Sequence, residues 1–299
     1  MGDISVSHFE QIAEGVYLEG LSVDHKRDVI WYSDVIKGGI HGVTPEGKHV
    51  GSFNEGRMWT GGVMMNDDGS VLSTGQGGIM WNNPDTGKSG WLLNELEGRA
   101  INGINEMWPD GKGGIYFGTN DIEMIIEAKD TRPTAIYRLT VDRKVIKLAE
   151  DVYFSNGIAF DPGRKRFYCS DTFRTSWVWD VRPDLSLDNR RVLFAKEDCD
   201  GMALDAEGNV WITGFRSAGT ITRVTSEGKE LSPVKTPDGC TTQVRFGGAD
   251  RRDLYINVVP GDGGDSLKEG KPLSGGSYLY RGRADVAGIL VEPASFKLG

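Results

Sequence analysis

Three cysteines in 299 residues, Cys169, Cys199 and Cys240, cannot make a disulfide framework, and their spacing fits no thiolate metal site. So sparse and odd a count suits a reducing compartment. Histidine is as scarce. His8, His25, His41 and His49 all fall in the first sixth of the chain, which leaves no partner for a serine or cysteine nucleophile further along. Cys199 is therefore read as a packing residue. Positive charge is also short: Lys and Arg total 34 against 43 Asp and Glu, a net charge of -9. Such a chain repels phosphate backbones, which excludes a nucleic-acid partner. No apolar run approaches the ~18 residues of a membrane span, so no membrane partner is expected. The opening residues lack a basic segment followed by an apolar one, so no secretory signal is read and a cytoplasmic protein is expected.

Glycine is abundant instead, at 42 residues. Without collagen periodicity, that many glycines mean many turns and many short strands. One unit recurs: a polar turn opening on Asp or Asn, then a β-rich run ending in a small or polar residue. Its copies open at Asp24, Asn66, Asp110, Asp161, Asp205 and Asp250, with spacings of 42, 44, 51, 44 and 45. Each copy except the last is followed by a second strand pair, and Ser277–Arg281 supplies a strand for the final unit. Six units of this length match the blades of an all-β, six-bladed β-propeller spanning 1–299 as a single domain. Two sandwich domains are the competing reading, but no linker-like stretch interrupts the period.

In a propeller the first strand of each blade lines the central axis. Five residues before each opening residue stand Glu19, Gly61, Asn105, Asn156, Asp200 and Arg245. Four of the six are oxygen-bearing, two carboxylates and two carboxamides. Asn and Asp are disfavoured inside strands, so their presence needs a reason. A hard divalent cation supplies one: Ca²⁺ takes carboxylate, amide and water oxygens, and two carboxylates balance its charge. Mg²⁺, Mn²⁺, Zn²⁺ or Fe²⁺ could use the same oxygens. The plainer alternative is that these groups bind only water and backbone in a wet channel. Strand direction also places Gln76, Asn120, Asp121, Glu123, Thr172, Phe173, Phe215 and Arg216 at the rim of the axial site. Trp59, Met107 and Trp108 lie near axial positions, Trp108 as a packing residue between blades. If Trp59 and Phe173 face the site, the substrate is more apolar than a sugar.

Glu19-Gly20, Ile104-Asn105-Glu106 before Pro109-Asp-Gly, Ser155-Asn156-Gly157 and Asp200-Gly201-Met202 together resemble the signature segments of the SMP-30/gluconolactonase (regucalcin-like) family, over roughly Glu19 to Val259. The resemblance implies a six-bladed propeller with one catalytic divalent metal held by Glu19, Asn105, Asn156 and Asp200. It implies hydrolysis of a small-molecule lactone or related ester by metal-activated water. Asp200, a carboxylate beside metal and substrate, is the general-base candidate; the alternative is that it is only a ligand and the metal itself generates hydroxide. Glu106 and Glu123 are implied substrate contacts, Glu106 standing where the family has Asp. Gly103 occupies the place of a family Arg that contacts sugar hydroxyls. A phosphotriesterase-type hydrolase on the same site and a non-catalytic calcium- or ligand-binding propeller are the alternative functions.

Overall fold

A computed structural model describes residues 4–122, 132–268 and 273–299. Nearly all of its regular structure is antiparallel strand. The turns opening each repeat bring consecutive runs back beside one another, so neighbours in sequence are neighbours in the sheet. Four sheets have four strands each. They are β2 (Leu18–Asp24), β3 (Val29–Asp34), β4 (Ile40–Val43) and β5 (His49–Phe53); then β6 (Val63–Met65), β7 (Val71–Ser73), β8 (Ile79–Asn82) and β9 (Ser89–Leu93). After a short pair, β10 (Glu95–Leu96) and β11 (Arg99–Ala100), come β12 (Gly103–Pro109), β13 (Ile115–Asn120), β14 (Thr134–Leu139) and β15 (Val145–Val152). The fourth sheet is β16 (Ser155–Asp161), β17 (Arg166–Asp171), β18 (Thr175–Val181) and β19 (Leu187–Phe194).

The last two repeats do not form separate sheets. They share one of seven strands: β20 (Cys199–Leu204), β21 (Val210–Gly214), β22 (Ala218–Val224), β23 (Glu230–Gly247), β24 (Asp253–Val259), β25 (Ser277–Arg283) and β1 (Glu10–Gly15). Where six separate four-stranded units are expected, four form, and the last two repeats are joined in this one sheet. The cause is β23, which runs 18 residues. Its first half pairs with β22 and its second half with β24, and Pro237-Asp238-Gly239 does not interrupt it. The outermost strand of this sheet comes from the other end of the chain, since β1 pairs with β25. One short helix, α1 (Gly263–Lys268), lies between β24 and β25.

Inner strands are buried on both faces, as in β16, where every residue is buried, whereas outer strands such as β19 are largely exposed. That is the pattern of sheets stacked face against face, and the apolar clusters lie between successive sheets. One joins Trp108 and Tyr116 to Phe160, Phe167 and Trp179, and those in turn to Met202 and Ile212.

The inner segments are joined in a circle by a repeated hydrogen bond. Near the end of each second strand a small polar side chain donates to a carbonyl of the next inner segment: Ser33 to Gly61 (2.6 Å), Thr74 to Asn105 (2.5 Å) and Asn120 to Ser155 (3.0 Å). Thr172 to Cys199 (2.7 Å), Thr213 to Thr242 (2.8 Å) and Asn257 back to Glu19 (2.8 Å) complete it. Such close approach needs residues without side chains. A Cβ on Gly20 would strike the Gly61 carbonyl, and one on Gly157 the Asp200 carbonyl. The arrangement is propeller-like, with the chain's two ends sharing one sheet. Thr213→Val, which keeps shape but removes the hydroxyl, is expected to cost about 1–3 kcal/mol of stability, measured by urea unfolding.

Candidate functional site

Each oxygen-bearing inner residue sits where the ladder is interrupted. β2 skips from Leu18 to Leu21, β12 from Ile104 to Met107, β16 from Ser155 to Ile158 and β20 from Cys199 to Met202. Glu19, Asn105, Asn156 and Asp200 are each the first residue inside that gap. A bulge re-aims side chains out of the alternating pattern. This is how a strand tolerates residues that strands disfavour.

The four side chains line one cavity, with about 80 Å³ of space, at one end of the ring. Trp59, Ile104, Asn120, Thr172, Phe173 and Phe215 line it too, with Tyr17, Val35, Ile122, Phe154 and Leu267. Among the described residues lining it, Glu19 and Asp200 are the only charged ones. Both are buried, at 6% and 3% exposure, and one carboxylate oxygen of Asp200 (Oδ1) has no hydrogen-bond partner among the described residues. Asn120 Oδ1, in the same cavity, has none either, although its amide nitrogen is committed to Ser155.

The electrostatics follow from that burial. The Glu19 carboxyl is held well above the ordinary carboxylate range, first by burial and then by the charges of Asp200 and Glu106, with Asn105 acting the other way. Asp200 is pushed up to about 8, again mainly by burial, while contacts with Asn156 and Glu19 pull it down. Two carboxyls in one dry cavity cannot both ionise cheaply. With two carboxamides beside them they form a hard, all-oxygen donor set. Among the described residues, no three His, Cys, Asp or Glu side chains gather into a metal-binding cluster. Any ion here would therefore depend on Asn105 and Asn156 as well as on the two carboxylates. The unpartnered Asp200 oxygen fits such a group, because a buried carboxylate oxygen without a donor is costly unless something else meets it.

Residues 18–259 match the family model described as SMP-30/Gluconolactonase/LRE-like region. The chain belongs to this family. Within the SMP-30/gluconolactonase family, a pentonolactonase of Haloferax volcanii is 27% identical over 277 residues, covering 88% of each chain. A regucalcin of Xenopus laevis is 29% identical over 62% of this chain, and the match spans 64% of that relative's length. Among solved structures, a gluconolactonase of Xanthomonas campestris aligns with a TM-score of 0.75 at 19% identity, covering 95% of both chains. A calcium-binding protein, regucalcin, of Agrobacterium tumefaciens also aligns with a TM-score of 0.75 at 19% identity, covering 96% of this chain and 95% of that one. At that identity the two structures speak for the fold.

Trp59 and Phe173 line the cavity as the sequence suggests, and so do Asn120, Thr172 and Phe215. Glu106 does not. It is buried and turned to the other side of the ring, where its carboxylate accepts from Gln243 (2.5 Å), Arg245 (2.9 Å) and the Met107 amide (3.1 Å). Glu106 is the second residue of the bulge, so it faces away from the first. Burial raises this carboxyl and Arg245 draws it back. Arg245 is not at the axial place that a five-residue step assigns. Thr242 is closer to it, donating to the Leu18 carbonyl at 2.7 Å, while Arg245 lines a cavity at the opposite end of the ring. Glu123 lies outside the described residues. Gln76, Asp121 and Arg216 do not line the cavity either. Cys199 is buried, its thiol pushed up to about 12 by desolvation, which fits a packing role.

Several wall residues went unread in the sequence: Tyr17, Val35, Ile104, Ile122, Phe154 and Leu267. Tyr17 and Phe154 share a signal, since each stands two residues before an axial donor, Glu19 and Asn156 respectively.

Burial of Asp200 has a consequence for stability. With its folded pKa raised, the native chain keeps a proton that the unfolded chain loses above its ordinary value near 4. The native state then binds more protons, so stability falls as pH rises from about 4 towards about 8. In chelator, the thermal midpoint is expected to fall across that window, and Asp200→Asn to flatten the fall relative to wild type in parallel melts.

Proposed function

We propose that this chain is a divalent-metal-dependent lactonase, built as a six-bladed propeller over its whole length. Its donors are Glu19, Asn105, Asn156 and Asp200, and it opens a lactone or related ester with Asp200 as general base. The six-blade count rests on reading the seven-stranded sheet as two blades joined through β23, the last one closed by β1.

The unpartnered, buried Asp200 oxygen beside Glu19, Asn105 and Asn156 carries the reading. Charge supports it as well. Glu19, Glu106 and Asp200 act on one another in the interior, and Arg245 cancels only one of their three charges when all are ionised. Two negative charges call for a divalent ion, and oxygen donors favour Ca²⁺. The naming of relatives as pentonolactonase, gluconolactonase and calcium-binding regucalcin agrees.

When bound, the ion would polarise the scissile carbonyl and stabilise the charge that develops on its oxygen. The chain supplies the rest. Asp200 faces both the donor set and the open cavity, so its carboxylate can take a proton from the attacking water. Asn105 and Asn156 keep Glu19 and Asp200 oriented, and the apolar wall keeps bulk water from the reacting carbonyl.

The test uses metal-stripped protein with Ca²⁺, Zn²⁺, Mn²⁺, Mg²⁺ or Fe²⁺ added back, assayed on a lactone panel. Activity is expected to vanish on stripping and return with an ion. Asp200→Asn is expected to lower kcat by about 10²–10⁴-fold. Ca²⁺ at a hundred times its Kd should stabilise wild type by about 2.7 kcal/mol and leave Glu19→Gln unmoved at that concentration. Ion binding with no hydrolysis of any lactone would instead favour the non-catalytic calcium-binding reading.

A further inference from the structure

We propose that the cavity selects lactones whose ring carries an alkyl or aryl group instead of hydroxyl groups. This rests on the lactonase reading and adds the substrate class. Beyond the four axial side chains, the wall is made by Trp59, Ile122, Phe154, Phe173, Phe215 and Leu267. No Lys, Arg or His is among the described lining residues. Few polar groups remain: the Thr172 hydroxyl donates to the Cys199 carbonyl and the Asn120 amide nitrogen to the Ser155 carbonyl, which leaves the Asn120 amide oxygen and Tyr17. A polyhydroxylated ring would bring several hydroxyls into this wall, most of them leaving water for a surface with too few partners to replace their hydrogen bonds.

Two features give this wall the look of a built one. At Gly103, two residues before Asn105, a Cβ would collide with the end of the Ile122 side chain. Gly103 itself carries no side chain, and the Ile122 hydrocarbon occupies the space beside it. Trp59 and Phe173 adopt left-handed backbone, with φ of 57° and 72°. Bulky residues rarely do so, and such strain is kept where the surroundings over-determine it. Here the Val35 carbonyl holds the Trp59 amide (2.8 Å) and the Glu197 carbonyl holds the Phe173 amide (2.7 Å). Phe173 packs between Phe154 and Phe215, with ring centroids 6.2 and 5.5 Å away. The strain serves to hold rings against the carboxylates.

The experiment measures kcat/KM of the Ca²⁺-loaded full chain on an unsubstituted δ-lactone, its methyl to pentyl derivatives, an aryl-fused lactone, and hexono- and pentonolactones. kcat/KM is expected to rise about fourfold per methylene over the first two or three carbons, the ratio for about 0.8 kcal/mol of burial. It should exceed that on the sugar lactones at least tenfold. Phe173→Gly, which tolerates the left-handed backbone, should reduce the rise to less than twofold per methylene. Sugar lactones turned over as well as or better than the alkyl and aryl ones would overturn the substrate class and leave the lactonase reading standing. Failure on every lactone with every ion added would overturn both.

Discussion

The structure depends on a short hydrogen bond repeated around a circle, from the end of each second strand to the carbonyl of the next inner segment. Ser33, Thr74, Asn120, Thr172, Thr213 and Asn257 make it in turn, the last returning to Glu19. A single such bond contributes about 1 kcal/mol. Closure multiplies its effect, because each link fixes the spacing that the next requires. The close approach it enforces explains Gly20, Gly61, Gly157 and Gly201, where any Cβ would strike a neighbouring backbone or buried side chain. It also leaves the first bulge residue of β2, β12, β16 and β20 facing the axis, so the candidate site is a by-product of how the ring is held together.

Buried charge is handled in two ways within one interior. Glu106 is fully met by Gln243, Arg245 and the Met107 amide, and removing Arg245 would strand it at a cost of about 3–5 kcal/mol. Among the described residues, Glu19 and Asp200 have no such cation against them, and Asp200 keeps an oxygen unmet. The first arrangement stabilises a fold and the second destabilises it. A protein retains an arrangement of the second kind where something else meets the charge. The contrast between adjacent residues of one bulge, Asn105 and Glu106, separates the site from its scaffold more sharply than residue type does.

The opposite end of the ring is closed differently. The C-terminal segment crosses it, with Asn66 paired to the backbone of Phe296 through both its amide oxygen and nitrogen, and Ile289 and Val291 lining a cavity of about 230 Å³. That cavity meets Arg245 and Trp108 and none of the four donors. The carboxylate end is walled instead by Trp59, Phe154, Phe173 and Phe215.

The sequence by itself determined the all-β class, the repeat spacing, and the convergence of Glu19, Asn105, Asn156 and Asp200. All of these arise from local patterns repeated along the chain, where a turn and a strand specify themselves. Trp59 and Phe173 were legible for the same reason, Trp59 two residues before the axial position Gly61 and Phe173 two after the end of β17. Tertiary structure decided the rest. Whether β23 breaks at Pro237-Asp238-Gly239 depends on β22 and β24 pairing along its two halves, and the strand that closes the last sheet comes from more than 250 residues away. Glu106 turned from an expected contact into a structural group because Gln243, 137 residues on, meets its carboxylate. The wall of Tyr17, Ile122 and Phe154 exists only once the ring has closed. A repeating pattern records what a segment does with its neighbours, while the partner met across the ring depends on closure, which no single repeat encodes.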